Sequence, residues 1–219
     1  MPFVANNLTL VRERMERTAE RMGRDPTAIK LVAVSKQQTI ESISAAYEAG
    51  QRCFGESRAQ ELERKAATLP NDIEWHFIGP IQSNKVRNVR PLVKMLHSLD
   101  RMSIVTDWGK ERDVPALLQF RLGGEPTKAG FEPEELADAT ELCLAAGVSL
   151  AGVMSIPPPA VDPESVRPWF RMLREISENL ADAVPSATVI SMGMSHDFEI
   201  AIEEGASAIR VGSAIFGSR

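Results

Sequence analysis

The feature that most constrains this chain is the alternation, from residue 31 onward, of short apolar runs with longer amphipathic segments. The runs Leu31–Ser35, Arg52–Phe54, Glu74–Ile78, Met95–Ser98, Ala116–Leu122, Leu150–Ser155, Thr188–Met192 and Ala208–Val211 read as strands. Between them the periodicity predicts helices near Ile40–Ala49, Arg58–Ala67, Ser83–Val89, Met102–Lys110, Pro133–Ala146, Pro163–Ala181 and Asp197–Glu204. Strict strand-helix repetition implies parallel strands joined by right-handed crossovers, and eight such units close a barrel. The expected fold class is α/β, a single TIM-type (β/α)8 barrel domain over residues 1–219. Too little chain follows the eighth strand for a full helix, so an N-terminal helix near Asn7–Met22 is expected to close the seam. Its stripe is Leu8, Val11, Met15, Ala19 and Met22. An open doubly wound sheet is the rival, but the first strand-helix turn, "SKQQT", lacks the glycine-rich phosphate turn of that fold.

Start and stop signals agree with this division. Ser57-Arg58-Ala59-Gln60 matches a capping box, Asp162-Pro163 places a cap before a first-turn proline, and Gly50, Gly147 and Gly205 stand where helices should stop. The segment Leu142–Val161 is uncharged and long enough for a membrane span, but its glycines, serines and Pro157-Pro158-Pro159 read as helix end, turn, strand and proline loop. The N-terminus has no continuous apolar stretch of the secretory kind, which points to the cytoplasm.

Charge narrows the function. A formal net charge of -5 argues against a general nucleic-acid binder, whose affinity comes largely from clustered Lys and Arg. The stretch Lys85, Arg87, Arg90 and Lys94 reads as a solvated helix face, with a docking surface for an acceptor enzyme as a weaker option. Cys53 and Cys143 show neither CxxC nor metal-ligand spacing and read as reduced core thiols.

In a barrel, functional groups gather at the carboxyl ends of the strands. "LVAVSK" ends its strand in Lys36, on the same face as Val32 and Val34, so inward-pointing valines would carry the amine into the barrel mouth. An amine in apolar surroundings is available as a nucleophile toward an aldehyde; the alternative is a lysine that simply reaches solvent. Gly193 and Ser195 after the seventh strand, and Gly212 and Ser213 after the eighth, form turns suited to an anion, because backbone N–H groups and a helix start lie there. Ordinary turns and caps are the alternative for either alone. Arg210, flanked by Ile209 and Val211 of opposite parity, is expected inside the barrel, where it needs an acceptor. Pyridoxal 5′-phosphate (PLP) would answer all three: an aldehyde for Lys36, a phosphate for the two loops, and a ring nitrogen for Arg210. Because guanidinium only donates, it would leave that nitrogen unprotonated and weaken the ring as an electron sink.

Six ordered stretches, "LVAVSK", "FGESRAQE", "EWHFIGPIQSNK", "GVMSIP", "SMGMSHD" and "RVGSAIFG", cover nearly the whole chain and resemble the YggS/PROSC family of pyridoxal phosphate homeostasis proteins. The resemblance implies a barrel of PLP fold type III, similar to the N-terminal domain of alanine racemase. It implies PLP as a Schiff base on Lys36, further cofactor contacts at Ser57, Met194, Ser195, Gly212 and Ser213, and a ring-nitrogen contact at Arg210. It also implies a monomeric carrier or regulator of intracellular PLP without an established reaction, with PLP-dependent apo-enzymes as possible partners and no metal. Departures from the family pattern are Ser57 and Arg121, where asparagine is usual, and Pro80 in place of a common histidine. Arg121, if it points into the mouth, would add positive charge beside the cofactor.

Other side chains are weaker candidates. His76 and His97 read as hydrogen-bonded barrel residues, His196 as an exposed loop residue, and Lys128 as a loop lysine near the pocket. A PLP-dependent racemase is one rival function, but it needs a second acid/base. Tyr47, the only tyrosine, falls on a helix instead of a strand end, and no second domain is read in the sequence. A cofactor-free Schiff-base aldolase acting through Lys36 is the other.

Overall fold

A computed structural model describes residues 2–110, 114–123 and 129–217. Strands β1 (Lys30–Val34), β2 (Cys53–Glu56), β3 (Glu74–Phe77), β4 (Met95–Leu99), β5 (Ala116–Phe120), β6 (Leu150–Ser155), β7 (Val189–Ser191) and β8 (Ala208–Val211) pair in parallel, in sequence order. The sheet closes through β8 and β1, with Lys30 opposite Ala208 and Val32 opposite Arg210. The expected α/β barrel is what forms.

The helices are α1 (Pro2–Arg21), α2 (Ile40–Glu48), α3 (Ala59–Ala66), α4 (Val86–Val89), α5 (Met102–Trp108), α6 (Leu136–Ala146), α7 (Arg167–Ala183), α8 (Phe198–Glu203) and α9 (Ser213–Phe216). Helix α1 does close the seam. Its stripe Val4, Leu8, Val11, Met15 and Ala19 is buried, Asn7 donates to the carbonyl of Ile215, Arg14 pairs with Glu199, and Arg12 bonds Ala49 and Gln51. Met22 lies past the helix end and is exposed, so it leaves the stripe.

Several boundaries differ from expectation for local reasons. Strand β2 runs on to Glu56 because Gly55 and Glu56 pair with His76 and Phe77. The chain is therefore still extended at Arg58, which becomes the cap of α3 without a side-chain bond, and the capping box expected from Ser57 does not form. Strand β5 stops at Phe120, which bridges Phe131 in parallel: Arg121 N–H donates to Phe131 O, and Phe131 N–H to Gln119 O. The helix expected at Ser83–Val89 splits into a 3-10 turn, Ser83–Lys85, and α4; Pro91 then supplies no N–H to continue it. Asp162 does cap, accepting from Glu164 N–H at 3.0 Å, but it heads a 3-10 turn before α7.

Apolar packing lies mainly between barrel and helices, with Phe54, Phe77, Leu62, Phe120, Leu118 and Trp108 almost wholly buried. Each such side chain contributes about 1.5–3 kcal/mol on burial. Cys53 and Cys143 are buried free thiols, both pushed up to about 12 by burial, as inert core residues should be. Inside the barrel the filling is mixed: His76, His97, Ser191 and Arg210 form one connected polar chain. Among the described residues no helix is long and apolar enough to cross a membrane.

Candidate functional site

A cavity of about 1190 Å³ opens at the carboxyl ends of the strands, and every residue singled out for the cofactor lines it: Lys36, Ser57, Met194, Ser195, Arg210, Gly212 and Ser213. Four loops supply them, those following β1, β2, β7 and β8, together with the inner face of β8.

Lys36 stands two residues beyond β1, not at its last position, in a turn whose next residue, Gln37, has φ +61°. Val34 lines the same wall. Beneath the turn, on the outer side of the barrel, lies a buried ionic cluster. Lys65 Nζ donates to Ser35 O at 2.6 Å, to Glu56 Oε1 at 2.7 Å and to Glu61 Oε1 at 2.7 Å. Ser35 Oγ also donates to Glu56 Oε1 at 2.7 Å, and Gln37 N–H to Glu61 Oε1 at 2.5 Å. Burial pushes the Glu56 carboxyl up against the opposing bonds from Lys65 and Ser35. For Glu61 burial acts the same way, but the bonds from Lys65 and Gln37 outweigh it and the carboxyl lies below its usual range.

Arg210 is inside the barrel, as its parity requires, but its acceptors are already supplied by the protein. One N–H reaches Ser191 Oγ at 2.7 Å and another the Ser155 carbonyl at 2.9 Å. The buried arginine is therefore not an orphan awaiting a ligand. These bonds use two of five donors. Burial lowers its pKa to about 10, with Asp197 opposing. Ser191 Oγ is also 2.8 Å from His97 Nδ1, and His97 Nε2 is 2.8 Å from His76 Nδ1. The chain thus crosses the interior from β8 to β3, and both histidines are hydrogen-bonded barrel residues.

The two glycine-serine loops are tied to each other. Gly193 has φ +91° and its carbonyl accepts from Arg210 N–H at 2.9 Å, which brings the β7 loop against β8. Ser195 Oγ accepts from Gly212 N–H at 3.3 Å and Ala214 N–H at 3.2 Å, and Asp197 Oδ1 accepts from Met194 N–H at 2.5 Å. Side-chain oxygens thus hold three of the backbone donors that the sequence suggested would be open to an anion. Ser195 couples the loops.

The departures from the family pattern fall in different places. Ser57 faces the cavity, and Gly79 sits so close behind it that an added Cβ would meet Ser57 Cβ and O at 2.6 Å. Pro80 also lines the wall. Arg121 is not part of the lining and pairs with Glu132. The basic stretch is not one solvated face. Arg90 is buried with its guanidinium 5.2 Å from the Trp108 ring, Lys85 lines the cavity, and Arg87 and Lys94 are exposed. His196 is exposed at the cavity edge. Tyr47 donates to Asp72 at 2.7 Å on the outer layer. Lys128 lies outside the described residues.

At the amino end of the barrel, Cys53, Glu74 and His76 bring three potential ligand atoms within 4.8 Å of one another. Their sequence spacing hides this, because strand register assembles it. Lys30 Nζ, 2.7 Å from Glu74 Oε2, already supplies a cation there. Sequence reading also missed Lys65, Ser191 and Asp197. Lys65 had a signal: it continues the buried stripe of Leu62 and Leu69, where a lysine needs partners. Ser191 is the last residue of β7, and its hydroxyl meets Arg210.

Residues 7–219 match the family described as alanine racemase, N-terminal domain. A pyridoxal phosphate homeostasis protein of Aquifex aeolicus is 42% identical over 97% of this chain and 96% of its own length. The structure of PipY from Synechococcus elongatus, with PLP bound, superposes with a TM-score of 0.77 at 34% identity, over 93% of this chain and 100% of that one. Alanine racemase from Corynebacterium glutamicum shares the fold alone: TM-score 0.76 at 14% identity, over 100% of this chain and 62% of that one. With full-length relatives at this identity, and the same barrel beneath them, the chain belongs to the YggS/PROSC family of pyridoxal phosphate homeostasis proteins.

Proposed function

We propose that this protein binds PLP in the cavity at the barrel mouth, as a Schiff base on Lys36, and serves intracellular PLP homeostasis as a carrier or regulator. The observation that carries the reading is the convergence of Lys36, Arg210 and the Ser195–Gly212–Ser213 loops on one cavity. The donor set suits the cofactor: an amine for its aldehyde, the Ser195 and Ser213 hydroxyls for its phosphate, and a guanidinium for its ring nitrogen. Bound there, PLP would supply an electrophilic carbonyl and an electron-accepting ring. Lys36 would hold it covalently, Ser195, Gly212 and Ser213 would orient the phosphate with Met194 beside them, Ser57 would line the facing wall, and Arg210 would donate to the ring without protonating it. The PLP-bound relative at 34% identity supports PLP as the ligand of this barrel.

The reading extends to a cytoplasmic monomer, one domain over residues 1–219, that delivers PLP to apo-enzymes requiring it. A racemase gains no support from Tyr47, which is engaged with Asp72 away from the cavity. The test is the visible spectrum of the protein with PLP, before and after borohydride, with peptide mapping of the reduced adduct. A single adduct on Lys36 that Lys36→Ala abolishes is expected. No adduct, or one scattered over surface lysines, overturns the reading and brings forward the cofactor-free aldolase. Native mass spectrometry tests the monomer, and reactivation of a PLP-requiring apo-enzyme by the loaded protein tests delivery.

A further inference from the structure

We infer that Lys65 is a positioning residue for Lys36: from the helix layer behind the barrel it fixes the peptide units on both sides of Lys36 and so the direction in which that side chain enters the cavity. The inference rests on the cofactor reading above and concerns how its nucleophile is aimed.

Lys65 is fully buried, and its three N–H donors meet three acceptors, Ser35 O, Glu56 Oε1 and Glu61 Oε1. Burying an ammonium with two carboxylates is a poor way to gain stability, since apolar residues of similar volume often do as well or better. The connections of the cluster indicate a role beyond stability. The Ser35 carbonyl belongs to the peptide unit before the Lys36 Cα, and Lys65 holds it directly. The Gln37 N–H belongs to the unit after it and is held by Glu61 Oε1, the same oxygen that Lys65 grips. Ser35 Oγ adds a bond to Glu56. With both flanking peptide planes fixed, the Cα–Cβ direction of Lys36 is fixed too. The turn also holds Gln37 at φ +61°, a left-handed conformation that a residue other than glycine keeps only where its surroundings over-determine it. A helical lysine on α3 thereby shapes a turn on the other side of the sheet, without lining the cavity itself.

Three variants and two ligands test this. Lys65→Met removes the direct grip on the Ser35 carbonyl and the anchor of Glu61, Glu61→Ala releases Gln37 N–H from a less buried site, and Glu61→Gln keeps an oxygen acceptor there. Each protein is mixed with PLP, and Lys36 adduct formation is followed by borohydride trapping and peptide quantitation. Each is also titrated with 4′-deoxypyridoxine 5′-phosphate, which retains the ring and phosphate and lacks the aldehyde. Misaimed nucleophiles lose rate steeply, so Lys65→Met and Glu61→Ala are expected to slow the adduct about tenfold or more while analogue affinity stays within about twofold. Glu61→Gln is expected to restore most of the rate. Equal losses for both ligands reduce Lys65 to general support and overturn the inference, as does an unchanged adduct rate in a variant that melts cooperatively. Should Lys65→Met not fold, the two Glu61 variants decide by the same criteria. A wild-type protein that forms no Lys36 adduct overturns the cofactor reading and this inference together; a normal wild-type adduct with unaltered variants overturns this inference alone.

Discussion

The guanidinium of Arg210 and the hydroxyl of Ser191 lie 2.7 Å apart inside the barrel, and His97 approaches the same oxygen from the far wall at 2.8 Å. One hydroxyl therefore serves two buried nitrogen groups. Ser191→Ala removes the shared partner and leaves a buried N–H of Arg210 without this acceptor. The expected cost is about 1–3 kcal/mol, read from the urea midpoint.

Arg210→Ala addresses the other end of that pair. The proposed contact of Arg210 is with the ring nitrogen and not with the aldehyde. The variant is expected to shift the visible absorption of bound PLP while borohydride still traps the cofactor on Lys36. An unchanged spectrum removes Arg210 from the ring-nitrogen role.

Buried neutral imidazoles give the stability a pH dependence with a definite sign. Burial first, and the charge of Lys30 second, push His76 from the usual 6.5 down to about 4, and burial holds His97 well below its usual value. In the unfolded chain both protonate near the ordinary value. Between about pH 6.5 and 4 the unfolded state therefore binds more protons, and stability falls as pH falls, by roughly 3 kcal/mol for His76 alone. Urea midpoints at neutral pH and near pH 4.5 measure the slope, and His76→Gln is expected to flatten it.

Gly152 is at φ +150°, and an added Cβ would stand 1.9 Å from the Val189 carbonyl oxygen on the paired strand. No flexible side chain is there to give way. Gly152→Ala is expected to destabilise the barrel by more than about 3 kcal/mol, measured by denaturant unfolding or loss of soluble protein.

Arg121 is the converse case, a departure from the family pattern whose charge is answered by Glu132. Arg121→Asn is expected to leave PLP affinity within about twofold, as measured by fluorescence titration. A larger change would return Arg121 to the cofactor's surroundings.

Most of the barrel was legible in the sequence because its strands are short apolar runs separated by periodic helices. The α6–β6 boundary needed only Gly147, at φ +77°, to stop the helix before Leu150. Parity along β1 and β8 correctly turned Val32 and Arg210 inward. What local pattern does not carry is partnership between distant segments. That Arg210 has its acceptors in Ser191 and Ser155, that Ser195 spans two loops, and that Lys65 reaches Ser35 all depend on register and helix placement. Even the failed capping box at Ser57 is of this kind, since the pairing of Glu56 with Phe77 decided where the helix could begin.

The pairing of β1 with β8 has a consequence for when the molecule becomes competent. Lys36 follows the first strand, while Arg210, Gly212 and Ser213 belong to the last, and the two groups face each other across the closing pair. A nascent chain on the ribosome holds its lysine early and lacks the opposite wall until almost all of it has been synthesised. The cavity is thus completed by the longest-range event in folding, which loop closure makes slow. A truncated or half-folded product therefore has Lys36 without the wall that faces it.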